Sequence, residues 1–195
     1  MSQFQIRPAV KADALAIARL FLISSDGLAA HIWSKSVQPD EALEAVGARR
    51  YAREGVDFSF ENCLIAESDG ELAGMLHSFA MHEAPNGTPA AEPEADPVLR
   101  PYLELEDYGS FYVSGLAVVE KIRGLGLGTE LMAKAETRAR ELDLPRVSLI
   151  CFERNEGAQR LYNRLGYREL MRRAVVPHPR LRYSDGDAVL LAKEI

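Results

Sequence analysis

The chain has only two cysteines in 195 residues, Cys63 and Cys151, each inside an apolar, strand-like run. With no metal-ligand spacing and no disulfide framework, they read as buried free thiols of a reducing compartment. No apolar stretch approaches the length of a bilayer span, and the N-terminus carries no basic-then-apolar leader. These absences point to a cytoplasmic protein with no membrane partner. Basic residues are outnumbered, 23 against 29, for a formal charge of −6. That balance argues against a nucleic-acid partner held by phosphate neutralisation and mildly favours cationic acceptors. There are no internal repeats, and the length suits a single domain, 1–195, with a sizeable core.

What is present centres on Val113 to Thr129, reading Val-Ser-Gly-Leu-Ala-Val-Val-Glu-Lys-Ile-Arg-Gly-Leu-Gly-Leu-Gly-Thr. A β-rich run, Phe111 to Val119, passes through a short basic turn into Gly124, Gly126 and Gly128. Apolar residues then take helical spacing at Leu127, Leu131, Ala135, Ala139 and Leu142. Strand, glycine turn and helix in that order leave the first N–H groups of the helix unpaired, at the end where the macrodipole favours an anion. Glycines without Cβ atoms let a ligand lie against that backbone. A Walker loop would end in Gly-Lys-Ser/Thr, but Thr129 follows Gly128 directly. A dinucleotide fingerprint would place a third glycine where Thr129 stands. A glycine-rich turn alone reads equally well as an ordinary connection.

A second segment follows. Val147 to Phe152 is an apolar strand, and after it comes Asn155-Glu-Gly-Ala158-Gln-Arg-Leu161-Tyr162-Asn-Arg-Leu165-Gly166-Tyr167. Ala158, Leu161, Tyr162 and Leu165 share a helical face, Asn155 suits the N-cap, and Gly166 suits the stop at C′. Arg123-x-x-Gly126-x-Gly128 and Asn155-x-x-Ala158-x-x-Leu161-Tyr162-x-x-x-Gly166-Tyr167 together resemble the two signature segments of the GNAT superfamily of N-acetyltransferases. The resemblance covers Phe111 to Tyr167. It departs from the family pattern at Glu120, where many members have proline, which puts the shape of that turn in question but not the glycines.

The remaining chain reads compatibly. Phe4 to Arg7 is a strand, and a helix follows with Ala14, Ile17, Ala18 and Phe21 on one face. Ser24 to Ser36 is turn-rich. A second helix opens at Pro39-Asp-Glu, with Leu43 and Val46 inward and Gly55 near its end. Asn62 to Glu67 and Leu72 to Phe79 alternate around Ser68-Asp69-Gly70-Glu71, a hairpin signal. Glu83 to Pro97 is Pro-, Ala- and Glu-rich and reads as a surface loop. A short helix is expected near Leu99 to Asp107, and further strands over Tyr167 to Val176 and Ala188 to Lys193. The resemblance implies an α/β (α+β) GNAT fold: a central mixed, mostly antiparallel sheet of six to seven strands, about four flanking helices and a splayed central strand pair. It also implies that the first two helices wall the acceptor pocket. His31 and Trp33 are then candidate contacts there, with loop packing the stronger reading for each.

The implied activity is acetyl transfer from acetyl-CoA, without a metal, to a primary amine of a small molecule or peptide. It proceeds by direct attack in a ternary complex, and a homodimer is left open. The chemistry needs aligned reactants, a neutral amine, a stabilised oxyanion and a proton for the leaving thiolate. By resemblance, Leu116, Ala117 and Val118 line the cofactor's arm, and the N–H groups of Arg123, Gly124, Leu125, Gly126, Leu127, Gly128 and Thr129 cradle its pyrophosphate. The Arg123 guanidinium adds a charged contact, and Asn155 and Ala158 border the pantetheine. Tyr162 is the candidate proton donor. A phenol of pKa about 10 gives its proton to a thiolate of about 8.5 uphill by about 2 kcal/mol, so the hydrogen bond strengthens as C–S breaks rather than before. Glu106 is the first candidate base, ahead of Glu104 and Asp107; a solvated acidic run is an equal reading. Cys151 has no histidine motif beside it, so no covalent acetyl-enzyme is expected. A non-catalytic acyl-CoA sensor, or transfer of a longer acyl group, is the alternative.

Overall fold

The computed structural model describes residues 4–82 and 96–195. The loop expected from Glu83 onward therefore lies, up to residue 95, outside the described residues. Seven strands are β1 (Gln5–Pro8), β2 (Cys63–Ser68), β3 (Glu71–Ala80), β4 (Phe111–Val118), β5 (Arg146–Phe152), β6 (Arg168–Ala174) and β7 (Asp187–Glu194). The helices are α1 (Ala14–Ser24), α2 (Leu28–Trp33), α3 (Leu43–Tyr51), α4 (Arg100–Leu103), α5 (Leu127–Glu141) and α6 (Glu156–Arg164). Strand order in the mixed sheet is β1-β2-β3-β4-β5-β7-β6. The described residues of 1–79 and 115–133 form one compact unit and those of 80–114 and 134–195 a second, so β4 and α5 each contribute to both.

In the first unit β1, β2 and β3 pair antiparallel. The hairpin between β2 and β3 turns through Asp69 and Gly70, both at positive φ (51° and 76°), the twist that a two-residue hairpin connection requires. Ile17, Ala18, Leu20, Trp33, Tyr51, Ile65 and Met75 form its core. Helices α1 and α3 meet closely at Gly47, where a Cβ would stand 2.7 Å from that of Ala18 and 2.4 Å from the Trp33 ring. Two expectations are corrected here. The turn-rich stretch contains α2, which buries Ala29, His31 and Trp33. Helix α3 starts at Leu43 instead of Pro39, because Gln38 and Glu41 close their own turn: the Gln38 N–H donates to the Glu41 carboxylate (3.0 Å), and Asp40 sits at φ 63°.

In the second unit β5 pairs antiparallel with β7 along its whole length, and β7 with β6 across an irregularity between Glu169 and Met171. The parallel ladder of β4 on β5 has three pairs, Phe111↔Val147 to Val113↔Leu149, on strands of eight and seven residues. A ladder this short is what a splayed central pair requires. Val147, Leu149, Leu105, Tyr167, Val189 and Leu190 are buried in this unit. Among the described residues there are six α-helices rather than about four. Of these, α4, four residues long, is the short helix expected near Leu99 to Asp107, while α2, of six residues, is too short for the periodicity of a helix to show in sequence. No helix among them is long and apolar enough to cross a membrane.

Candidate active site

Candidate site residues fall in each of the two units. In the first, Leu116, Ala117 and Val118 end β4, with Ala117 buried and its two neighbours half-buried. Gly74 lets β4 and α5 approach β3: a Cβ on it would stand 2.5 Å from the Ala117 carbonyl oxygen and 3.1 Å from Leu127 Cδ2. The Val119 N–H then bonds the Ala73 carbonyl at 2.9 Å, which holds the strand end where the turn begins. The turn itself opens with a single 3-10 turn, Glu120–Ile122, so glutamate in place of proline still gives a compact connection. The Arg123 Nε donates to the Val118 carbonyl at 3.0 Å and clips the turn to the strand.

Beyond Arg123 the chain is shaped by glycine. Gly124 and Gly126 take φ of 83° and 94°, which L side chains rarely adopt, and a Cβ at either would meet no protein atom within 4 Å. Both are exposed, as is Leu125, while Leu127 is buried and anchors the first turn of α5. Glycines that hold positive φ in an open, solvent-facing turn serve no packing, which fits a surface shaped for an anion at a fifteen-residue helix's start. Two of the N–H groups expected to face a ligand are engaged within the chain. The Arg123 N–H donates to Glu120 (3.1 Å), and the Thr129 N–H donates to Gly126 (2.9 Å). Thr129 is spent on the helix itself, a use that glycine spacing alone does not reveal.

The second unit carries Asn155, Ala158 and Tyr162. Asn155 Oδ1 accepts from the Ala158 N–H at 3.2 Å, so it caps α6 as expected. Gly166, at φ 92°, ends the helix. Leu161 and Leu165 are half-buried; the buried residue of the helix is Tyr162. Its ring meets Tyr167 edge-to-face at 6.0 Å. Tyr167, fully buried, is held in turn by Glu136: its Oη donates to Oε1 (3.4 Å), the oxygen that also accepts from Lys193 Nζ (2.8 Å). Burial, then the Glu136 charge, push the Tyr167 phenol well above its usual range, so it stays protonated and keeps donating. Sequence reading named Tyr167 only as part of a motif; its carboxylate and lysine come from α5 and β7, whose placement no local pattern encodes.

The three candidate bases separate clearly. Glu104 lies between Arg173 (2.7 Å) and Arg100 (3.0 Å), and those hydrogen bonds, Arg173 first, hold its carboxyl below the usual range. Asp107 is buried in a two-point pair with Arg146 (2.8 and 2.5 Å). Glu106, half-buried, takes one hydrogen bond, from the Tyr108 hydroxyl to Oε2 at 2.5 Å. That bond, followed by burial, raises the Tyr108 phenol, while burial and then the Glu106 charge raise Tyr112. Among the described residues no hydrogen bond reaches the other Glu106 oxygen, and of the three only this carboxylate carries no arginine partner. Trp33 stacks on Phe21 at 6.2 Å inside the first unit's core, and His31 is buried, as packing residues would be. Cys63 and Cys151 are buried free thiols, and burial pushes the Cys63 thiol upward.

A family model for the acetyltransferase (GNAT) family matches residues 27–167. The chain belongs to the GNAT acetyltransferase family. Solved structures of similar fold include an acetyltransferase at 21% identity (98% of this chain, 99% of that one, TM-score 0.65). Another is an N-acetyltransferase from Staphylococcus aureus Mu50 at 18% identity (97% and 100%, TM-score 0.61). A third is a GNAT family acetyltransferase from Elizabethkingia anophelis with acetyl-CoA bound, at 16% identity (100% of each chain, TM-score 0.61). At these identities the likeness is one of fold. No curated protein matches the chain.

Proposed function

We propose that this GNAT chain transfers an acetyl group from acetyl-CoA to the primary amine of a small molecule or peptide, by direct attack in a ternary complex. The observation that carries the reading is the turn after β4, where Gly124 and Gly126 hold positive φ with open space beside each. The acetyl-CoA bound to the Elizabethkingia relative supports acetyl-CoA as the donor. The amides between Gly124 and Gly128, at the start of α5, take the pyrophosphate, and Leu116 to Val118 run beside the pantetheine arm. Asn155 and Ala158 border it from α6. Arg123, already clipped to Val118 by Nε, keeps its terminal nitrogens for a phosphate oxygen.

Tyr162 donates its proton to the departing thiolate; the edge-to-face contact with Tyr167 fixes its ring. Glu106 accepts the amine's proton, directly or through water, with the Tyr108 hydrogen bond orienting its carboxylate. The work asked of it depends on the acceptor: deprotonating a lysine-like amine at pH 7 costs about 4 to 5 kcal/mol, an α-amine about 1. We place the protein in the cytoplasm on its two buried free thiols.

The test is thiol release from acetyl-CoA across polyamines, aminoglycosides, free amino acids and short peptides with free N-termini. Release with one class establishes the enzyme and its acceptor together. Silence across the panel, with acetyl-CoA still bound, refutes transfer to these amines in favour of an acyl-CoA sensor.

A further inference from the structure

Helix α3 ends in Arg50 and Tyr51, and neither is satisfied by the protein around it. Arg50 is half-buried, its guanidinium carbon 4.4 Å from the centre of the Phe58 ring. Stacking uses the face of the guanidinium and none of its five N–H donors. Among the described residues no carboxylate or carbonyl accepts from it; its neighbours Arg49 and Arg53 are engaged, the first with Glu41 and the second with the Arg50 and Phe58 carbonyls (2.9 and 3.4 Å). Burial depresses the Arg50 guanidinium below its usual range; Tyr51 offsets this in part and the nearby Arg53 adds to it, with no acid among the causes. Tyr51 is completely buried, and its hydroxyl has no hydrogen-bond partner. Buried polar groups are nearly always paired, so the orphan Tyr51 hydroxyl marks a missing acceptor oxygen, and Arg50, with which Tyr51 interacts electrostatically, could bind the same acceptor.

The surroundings say where that acceptor belongs. The Tyr51 ring lies 5.4 Å from Phe21 and 6.5 Å from Phe58. Phe21 is the residue that a Cβ on Gly115 of β4 would strike, at 2.8 Å. The pair is thus one ring removed from the strand that continues into Leu116, Ala117 and Val118. We propose that Arg50, with the Tyr51 hydroxyl, holds the carboxylate of the acceptor, so that the acetylated amine belongs to a free amino acid or similarly sized amino acid derivative. The guanidinium fork matches a carboxylate at two points, and Tyr51 supplies a third donor. This assignment rests on the transfer reading above and narrows it to one substrate class.

The experiment pairs each of a set of amino acids with its C-terminal amide, and adds their N-acetyl products as binding probes. Thiol release should favour the acids over the amides, and Arg50→Gln should lower kcat/KM for the acids by on the order of 10- to 100-fold while leaving the amides and acetyl-CoA affinity unchanged. Arg50→Lys, which keeps the charge and the stacked stem but not the fork, should recover part of the loss. Tyr51→Phe, which keeps the ring, should weaken the acids alone. Equal use of acids and amides, or indifference of the acids to Arg50→Gln, overturns the proposal. So does a matching loss of acetyl-CoA affinity, which would give Arg50 to a cofactor phosphate. Titration of the single tryptophan, Trp33, whose ring stacks on Phe21, with N-acetyl amino acids and their amides needs no turnover. If no amine is acetylated the transfer reading fails by itself. Saturable, Arg50-dependent binding of the N-acetyl acids then still supports the carboxylate site, and its absence overturns it.

Discussion

At the residue scale the site depends on which polar atoms are already committed. Tyr162 is presented by a buried ring packed on Tyr167, so Tyr162→Phe changes the hydroxyl and little else. Turnover should fall by on the order of 10²-fold with acetyl-CoA affinity unchanged by calorimetry, the usual size of an acid-catalysis effect. Undiminished turnover removes Tyr162 from the mechanism. Glu106 is distinguished from Glu104 and Asp107 by the arginines that those two bind. For Glu106→Gln the loss should be larger with a lysine-like amine than with an α-amine, because the first has about 4 kcal/mol more deprotonation to be assisted. Rates measured on both amines decide it; equal losses show that Glu106 is not the base.

At the scale of elements, two glycines serve opposite purposes and separate by experiment. Gly126 stands open at positive φ, so Gly126→Val strains the turn by about 1 to 2 kcal/mol and obstructs only what lies outside the protein. The variant should fold, with a slightly lower melting temperature, and bind no measurable acetyl-CoA; unchanged affinity would dismiss the pyrophosphate assignment. Gly74 stands closed, against the Ala117 carbonyl and Leu127. Gly74→Ala should cost about 1 to 3 kcal/mol of stability by overpacking, read as a shift in the urea midpoint.

For the molecule as a whole, the first unit carries a pH liability. His77 on β3 is completely buried among Phe21, Tyr51, Phe58 and Phe79, and its Nε2 donates to the Asp57 carbonyl at 2.9 Å. Burial pushes its pKa down to about 4 from the ordinary 6.5. Between those values the unfolded chain binds a proton that the folded chain refuses, so stability falls as pH is lowered through that window, by about 3 kcal/mol in all. Urea midpoints at pH 7.5, 5.5 and 4.5 should fall in that order. His77→Gln, which can still donate to Asp57 but takes up no proton, should flatten the trend; an unchanged slope would show that other groups govern it.

Much of this was legible in the sequence where one segment's own pattern decides its structure. Strand alternation, the Asp69-Gly70 turn, the glycine spacing at 124–128 and the Asn155 cap are short-range properties, and the strands fall within a few residues of their expected limits. The shape of the turn after β4 was likewise readable, because glycines at alternate positions allow the positive φ that Gly124 and Gly126 adopt. Tertiary structure alone decided the pairings between distant segments: which arginines neutralise Glu104 and Asp107, that Glu136 and Lys193 brace Tyr167, and that Arg50 stacks on Phe58 without a counter-charge. A side chain's partner is chosen by where the sheet brings separate elements together, and a local pattern holds no record of that.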